Sequence, residues 1–115
     1  MKEKITYLEL GDGTKYPMIF TLNVMEDIQE EYGTLEKWME LVKQSEPNIK
    51  ALKFGLGGML NEGIEIENET SETKRDLLDL KKIGRIITEL GMNVVAGKIG
   101  ENVVASTKVE TSKNE

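Results

Sequence analysis

The chain contains neither cysteine nor histidine. The first absence excludes disulfides, thiolate metal sites and a cysteine nucleophile. The second removes the commonest general base and the commonest metal ligand. Long apolar runs are missing too, and the central uncharged stretch FGLGGML (Phe54 to Leu60) is far too short to span a bilayer. Positive charge is in deficit, with 15 Lys and Arg against 21 Asp and Glu and a formal net charge of −6. That balance argues against nonspecific nucleic-acid binding, which needs a basic footprint. The opening MKEKITYLEL alternates charged and apolar residues without a signal-peptide core, so the expected location is cytoplasmic, with no membrane contact.

What is present is one domain's worth of chain, 115 residues, organised around Ile49 to Gly63. There Ile49, Leu52, Leu56, Met59 and Leu60 follow the spacing of one helix face, and Ala51, Phe54, Gly55 and Gly58 lie on another side. Apolar surface on two sides predicts a buried helix. Glycines inside it cost about 0.5–1 kcal/mol each relative to Ala, and close approach of neighbouring backbones would offset this. FGLGG read as a phosphate loop lacks the Gly-Lys-Ser/Thr ending and does not match GxGxxG.

Ahead of this helix, residues 4–20 predict a β-hairpin. Ile5 to Leu10 alternates, Asp12-Gly13 supplies a tight turn, and Lys15 to Phe20 forms the return strand. A hairpin of two strands is marginal alone, so it must lie on the helices or pair with another chain. Thr21 is the expected N-cap of a helix over 21–33, in which Leu22, Met25, Ile28, Gln29 and Tyr32 form one face with Val24 beside it. Gly33 stops that helix and Thr34 caps the next, 35–44, with Leu35, Trp38, Met39 and Val42 on one face. Ser45 and Pro47 then restart the chain into the central helix, 46–62.

Ile64 to Thr73 reads as an acidic connector, and a last helix over 74–99 carries Leu80, Ile83, Ile87, Leu90 and Val94, with Asp79 a possible cap and Gly84 and Gly91 beside the stripe. Residues 101–115 read as a flexible polar tail. The expected fold is therefore mainly α with a small N-terminal β-hairpin (α+β), about four to five helices in a single domain over 1–100. Its core is assigned to Phe20, Leu22, Met25, Ile28, Tyr32, Leu35, Trp38, Val42, Leu52, Leu56, Leu60, Ile83, Ile87 and Leu90.

Chemistry is thinly represented. Glu65, Glu67 and Glu69 alternate but do not match an EF-hand loop. Glu26 with Glu30 and Asp27 with Glu31 share a helix face, yet helical di-metal sites add a Glu-x-x-His that this chain lacks. Such pairs read as a solvated face. There is no Gly-x-Ser-x-Gly elbow. Lys81, Lys82 and Arg85 form a small basic cluster without interleaved aromatics. No catalytic, metal or cofactor-binding residue is expected. Trp38 reads most simply as core, with an interface anchor as the alternative.

The order of elements resembles the small tail assembly chaperones of long-tailed bacteriophages and prophages of Gram-positive bacteria. The similar parts are Phe20-Thr21-Leu22 at the start of the first helix, the Glu30-to-Gly33 stop, and the apolar helix ending Leu60-Asn61-Glu62-Gly63, within roughly residues 15–100. The resemblance implies a non-enzymatic protein of the bacterial host cytoplasm that coats the tape-measure protein, contacts tail-tube subunits and self-associates. It implies contact surfaces on the apolar helices, placed at Trp38, Met39, Phe54 and Met59. It also implies a frameshifted longer form, for which Lys113-Asn114 is a compatible slippery pair. Two other readings are a structural tail or head-completion protein retained in the virion, and a bacterial adaptor binding one protein partner.

Overall fold

The alternation near the N-terminus and the Asp-Gly turn produce the hairpin they predict. In the computed structural model, which describes residues 5–113 and the side chains of residues 5–106, β1 (Thr6–Glu9) pairs antiparallel with β2 (Lys15–Met18), from Thr6↔Met18 to Glu9↔Lys15. Gly13 takes φ +90°, and the Asp12 carboxylate accepts from the Thr14 N–H at 3.0 Å. Leu8 and Leu10 point into the core, while Tyr7 is exposed. Lys4, the expected first residue of the hairpin, lies outside the described residues.

Five helices follow: α1 (Leu22–Tyr32), α2 (Leu35–Lys43), α3 (Ile49–Thr70), α4 (Leu80–Leu90) and α5 (Met92–Lys113). The fold is thus mainly α with a two-stranded N-terminal hairpin. Thr21, Thr34 and Asp79 cap α1, α2 and α4 through side-chain oxygens that accept N–H groups three residues on. The cap of α3 is Asn48 rather than Ser45; its side chain accepts from the Ala51 N–H at 2.9 Å, behind a buried Pro47.

α3 is central. It touches β2 and all four other helices. Ala51, Leu52, Leu56, Met59 and Leu60 have no exposed surface. Its glycines divide sharply. A Cβ on Gly55 would stand 2.1 Å from Cζ2 of Trp38, so the glycine opens the slot that the indole fills. A Cβ on Gly63 would stand 2.7 Å from the Pro17 carbonyl oxygen, so this glycine lets the backbone of β2 cross α3. The crossing is tied by the Ile19 N–H donating to the Met59 carbonyl at 3.3 Å. The hairpin therefore lies on the helices of its own chain.

Several expectations are corrected. The central helix does not stop at Gly63 but continues to Thr70, because Ile64 is buried and extends the apolar face. The expected single helix over 74–99 is two. Residues 71–79 are non-helical, and Gly91 at φ +98° ends α4 with its N–H donating to the Ile87 carbonyl at 2.7 Å. Residues beyond 100 are not a separate polar tail. α5 runs to Lys113, Ile99 and Val103 are buried, and the Ser106 hydroxyl donates to the Phe20 carbonyl at 3.3 Å. The side chain of Val109 and the whole of Asn114 lie outside the described residues.

Within α1, Leu22 is 65% exposed, and Val24 and Ile28 are the buried pair. The reason lies at the buried Thr21, whose hydroxyl donates to Glu62 Oε2 at 2.6 Å and fixes the rotation of the helix. Met25, Tyr32, Leu35 and Leu90 are only partly buried, and the other expected core residues apart from Leu22 are buried.

Substituting Gly55→Ala forces the indole out of its slot and is expected to cost at least about 2 kcal/mol, in the upper part of the overpacking range. Gly63→Ala should also destabilise, since the opposing atoms are backbone. Urea unfolding followed through Trp38 fluorescence measures both.

Candidate functional site

A groove of about 490 Å³ runs along one side of α3. Residues Lys53, Phe54, Gly57, Gly58, Asn61, Glu62 and Glu65 form its floor, with successive contributions from each turn of the helix. Asn23, Val24, Asp27 and Ile28 of α1 make one wall, and Leu78, Asp79, Leu80 and Ile83 make the other. From Lys53 to Glu65 the floor is about 18 Å long at the helical rise of ~1.5 Å per residue. Its walls are mainly apolar, and Leu80 is 62% exposed.

Each wall is held by identifiable contacts. On the α1 side, Glu62 accepts from both the Thr21 hydroxyl and Asn23 Nδ2, at 2.6 and 3.1 Å. A carboxylate at a helix N-terminus also complements the helix dipole. On the other side, residues 71–79 form a strap clipped to α3 by two asparagines one heptad apart. Asn61 donates to the Leu78 carbonyl at 3.0 Å and accepts the Leu78 N–H at 2.8 Å. Asn68 does the same to Arg75, at 2.9 and 3.0 Å. The Lys74 ammonium donates to the Asn68 and Ser71 carbonyls, and the Arg75 guanidinium sits 5.2 Å above the Tyr16 ring.

Four carboxylates, on Asp27, Glu62, Glu65 and Asp79, line the groove against one ammonium, that of Lys53. Glu62 is engaged with α1, and Asp79 accepts the Lys82 N–H at 2.8 Å as the cap of α4. Glu67 points away from Glu65 and Glu69, since alternate helical residues point about 200° apart. Glu67 accepts from the Tyr7 hydroxyl. Among the described residues, no group of three or more acidic side chains is placed to hold a metal ion.

The floor contains two glycines without an evident steric task. A Cβ on Gly57 would meet Ile83 at 3.6 Å, and one on Gly58 would meet Val24 at 3.8 Å, both ordinary contacts. Relative to Ala, each such glycine costs a helix interior about 0.8–1.0 kcal/mol. The expected backbone approach at Gly55, Gly57 and Gly58 is not what they serve: Gly55 admits the Trp38 side chain, Gly57 is buried against Ile83, Gly58 is partly open, and the close backbone crossing is at Gly63, which was expected as a stop.

Of the four residues expected to contact partners, the structure brings only Phe54 to the groove. Trp38 and Met59 are fully buried, which corrects their assignment as contact surface. The indole N–H donates to the Ala51 carbonyl at 3.0 Å, so its one polar atom is satisfied inside. Met39 is partly buried against the core and is not among the groove residues. Phe54 meets Tyr32 edge to face, with ring centroids 5.6 Å apart. Sequence reasoning missed Val24, Asp27, Leu78 and Leu80, whose convergence depends on how α1 and α4 flank α3. The signal within reach was the pair of adjacent helical glycines.

Comparisons with known protein families, curated proteins and solved structures found no match. Among the described residues, no helix is long and apolar enough to cross a membrane.

Replacing Asn61 with Ala removes both clips to Leu78 and is expected to cost about 1–3 kcal/mol, from two hydrogen bonds at roughly 0.5–1.5 each. Amide exchange of the 76–80 segment should quicken more than that of α1. Tyr32 offers a second check. Its hydroxyl is shielded and has no hydrogen-bond partner among the described residues, and desolvation, aided by Glu31, raises its pKa above 10.0. A raised tyrosine pKa contributes stability that is complete below the unfolded value and lost as pH climbs through the folded one. Tyr32→Phe should leave neutral-pH stability unchanged or improve it by up to about 1 kcal/mol. It should also flatten the alkaline loss, leaving the share due to Tyr7, whose pKa is raised by its bond to Glu67. Thermal melts across the alkaline range test both points.

Proposed function

We propose that this chain is a non-enzymatic tail assembly chaperone of the long-tailed bacteriophage type. It binds the tape-measure protein in the bacterial cytoplasm and helps to recruit tail-tube subunits. The observation that supports this most directly is the open apolar groove along α3, with Phe54 on its floor and the exposed Leu80 on its wall. A long helical protein exposes apolar stripes until its final assembly encloses it. A groove of this shape can cover such a stripe in the helix-in-groove mode. Many modest contacts along one partner multiply through avidity while each remains reversible. The net charge of −6 would help keep a coated complex soluble.

The test is co-expression with the protein encoded directly downstream, followed by pull-down and size-exclusion chromatography with light scattering. The expected result is a long helical protein that is insoluble alone and soluble in a multi-copy complex with this chain. A chain that ignores that protein and runs as an inert monomer refutes the reading. Its detection in purified virions by mass spectrometry would favour a retained structural component instead.

A further inference from the structure

We infer that the groove along α3 receives a single amphipathic helix of the partner, with a small residue seated over Gly58 and Lys or Arg along its flanks. The inference rests on reading the chain as a chaperone of a helical protein, and it specifies what that protein must present.

Three observations converge on this occupant. First, the groove is straight, because its floor is a single helix, and at about 18 Å it matches three to four turns of a second helix. Second, its floor is lowered at the partly exposed Gly58, where a methyl group would meet Val24 only at an ordinary 3.8 Å, beside Gly57, which is buried under Ile83. Missing side chains at that step allow an incoming helix to approach closely, provided that it too carries a small residue there. Third, the lining is electrostatically one-sided, with Asp27, Glu62, Glu65 and Asp79 facing Lys53 alone. Asp27 on the α1 wall and Glu65 at the C-terminal end of the α3 floor are both exposed. An apolar helix flanked by cations complements both the floor and the rim, whereas one flanked by carboxylates is repelled.

Fluorescence anisotropy of the full chain with a labelled peptide tests this. The probe is a helical peptide of roughly 14 residues, about four turns, built from Leu, Ala and Lys in amphipathic spacing. Its counterpart carries Glu in place of Lys. The Lys peptide is expected to bind, with affinity falling as salt is raised, and the Glu peptide to bind at least about ten-fold more weakly. Gly58→Leu, which fills the floor, and the pair Asp27→Lys with Glu65→Lys, which reverses the rim, should each weaken the Lys peptide by about ten-fold or more. Gly97→Leu on exposed α5 should not. If Gly58→Leu fails to fold by circular dichroism, Gly58→Ala and the charge-reversal pair decide the matter. Equal binding of both peptides, undiminished binding by the groove variants, or a groove filled by a second copy of the chain would overturn the inference.

The same variants in co-expression separate the two ideas. If wild type and groove variants solubilise the downstream protein equally, the groove assignment falls and the chaperone reading stands. If wild type ignores that protein yet binds the Lys peptide through the groove, the groove stands and the chaperone reading falls.

Discussion

The packing of the Trp38 indole against Gly55 is the interaction on which the rest of the structure depends. The ring occupies space that any other residue at position 55 would fill, and its N–H is taken by the Ala51 carbonyl one turn earlier on the same helix. This docks α2 on α3 with both shape and polarity satisfied. Once α2 is seated, α1 is confined by the short connection through Gly33 and Thr34, and α5 packs against α2, α3 and α4. At the other end of α3, Gly63 gives the hairpin an equally close seat. A helix with two deep notches, each filled by a different element, sets the positions around which the buried apolar cluster closes.

The other two glycines of this stretch differ in kind. Gly57 and Gly58 lie between the notches, where an added Cβ would meet Ile83 or Val24 only at ordinary contact distance, and Gly58 is partly open. The same helix thus carries its core on one side and a shallow apolar channel on the other. Hydrophobic burial favours closing such a channel. It stays open because both walls are held apart by polar clamps, Glu62 to Thr21 and Asn23 on one side and Asn61 to Leu78 on the other.

Local chemistry was legible in the sequence, and long-range geometry was not. Asp12-Gly13, Thr21, Gly33, Thr34 and Asp79 announce turns, caps and stops because each acts on backbone within a few residues. The apolar period from Leu80 to Val94 ran straight across Gly91, and nothing in that period separates an interior glycine such as Gly84 from a terminating one. Leu22 outscored Val24 on spacing, and only the tertiary bond from Thr21 to Glu62 reverses the choice. The polar composition after Gly100 concealed a helix whose buried side chains are few but well placed, notably Val103. At the candidate site, Phe54 lies on the groove floor. Trp38, expected as core with a partner contact as the alternative, is core, and the slot that hides it is made by a glycine seventeen positions away.

The strap between α3 and α4 carries an evolutionary consequence. Asn61 and Asn68 grip its peptide groups rather than its side chains, so its path is written in α3 more than in the strap itself. Glu72, Thr73, Asp76 and Leu77 are exposed, so these positions can drift widely without moving the groove wall. The constraint that remains is an exclusion. Proline has no N–H to offer, so it is barred from positions 75 and 78, where each asparagine takes one. A lineage of such chains would show two unchanging asparagines in α3 followed by a strap of changing letters, its history readable mainly from where proline never occurs.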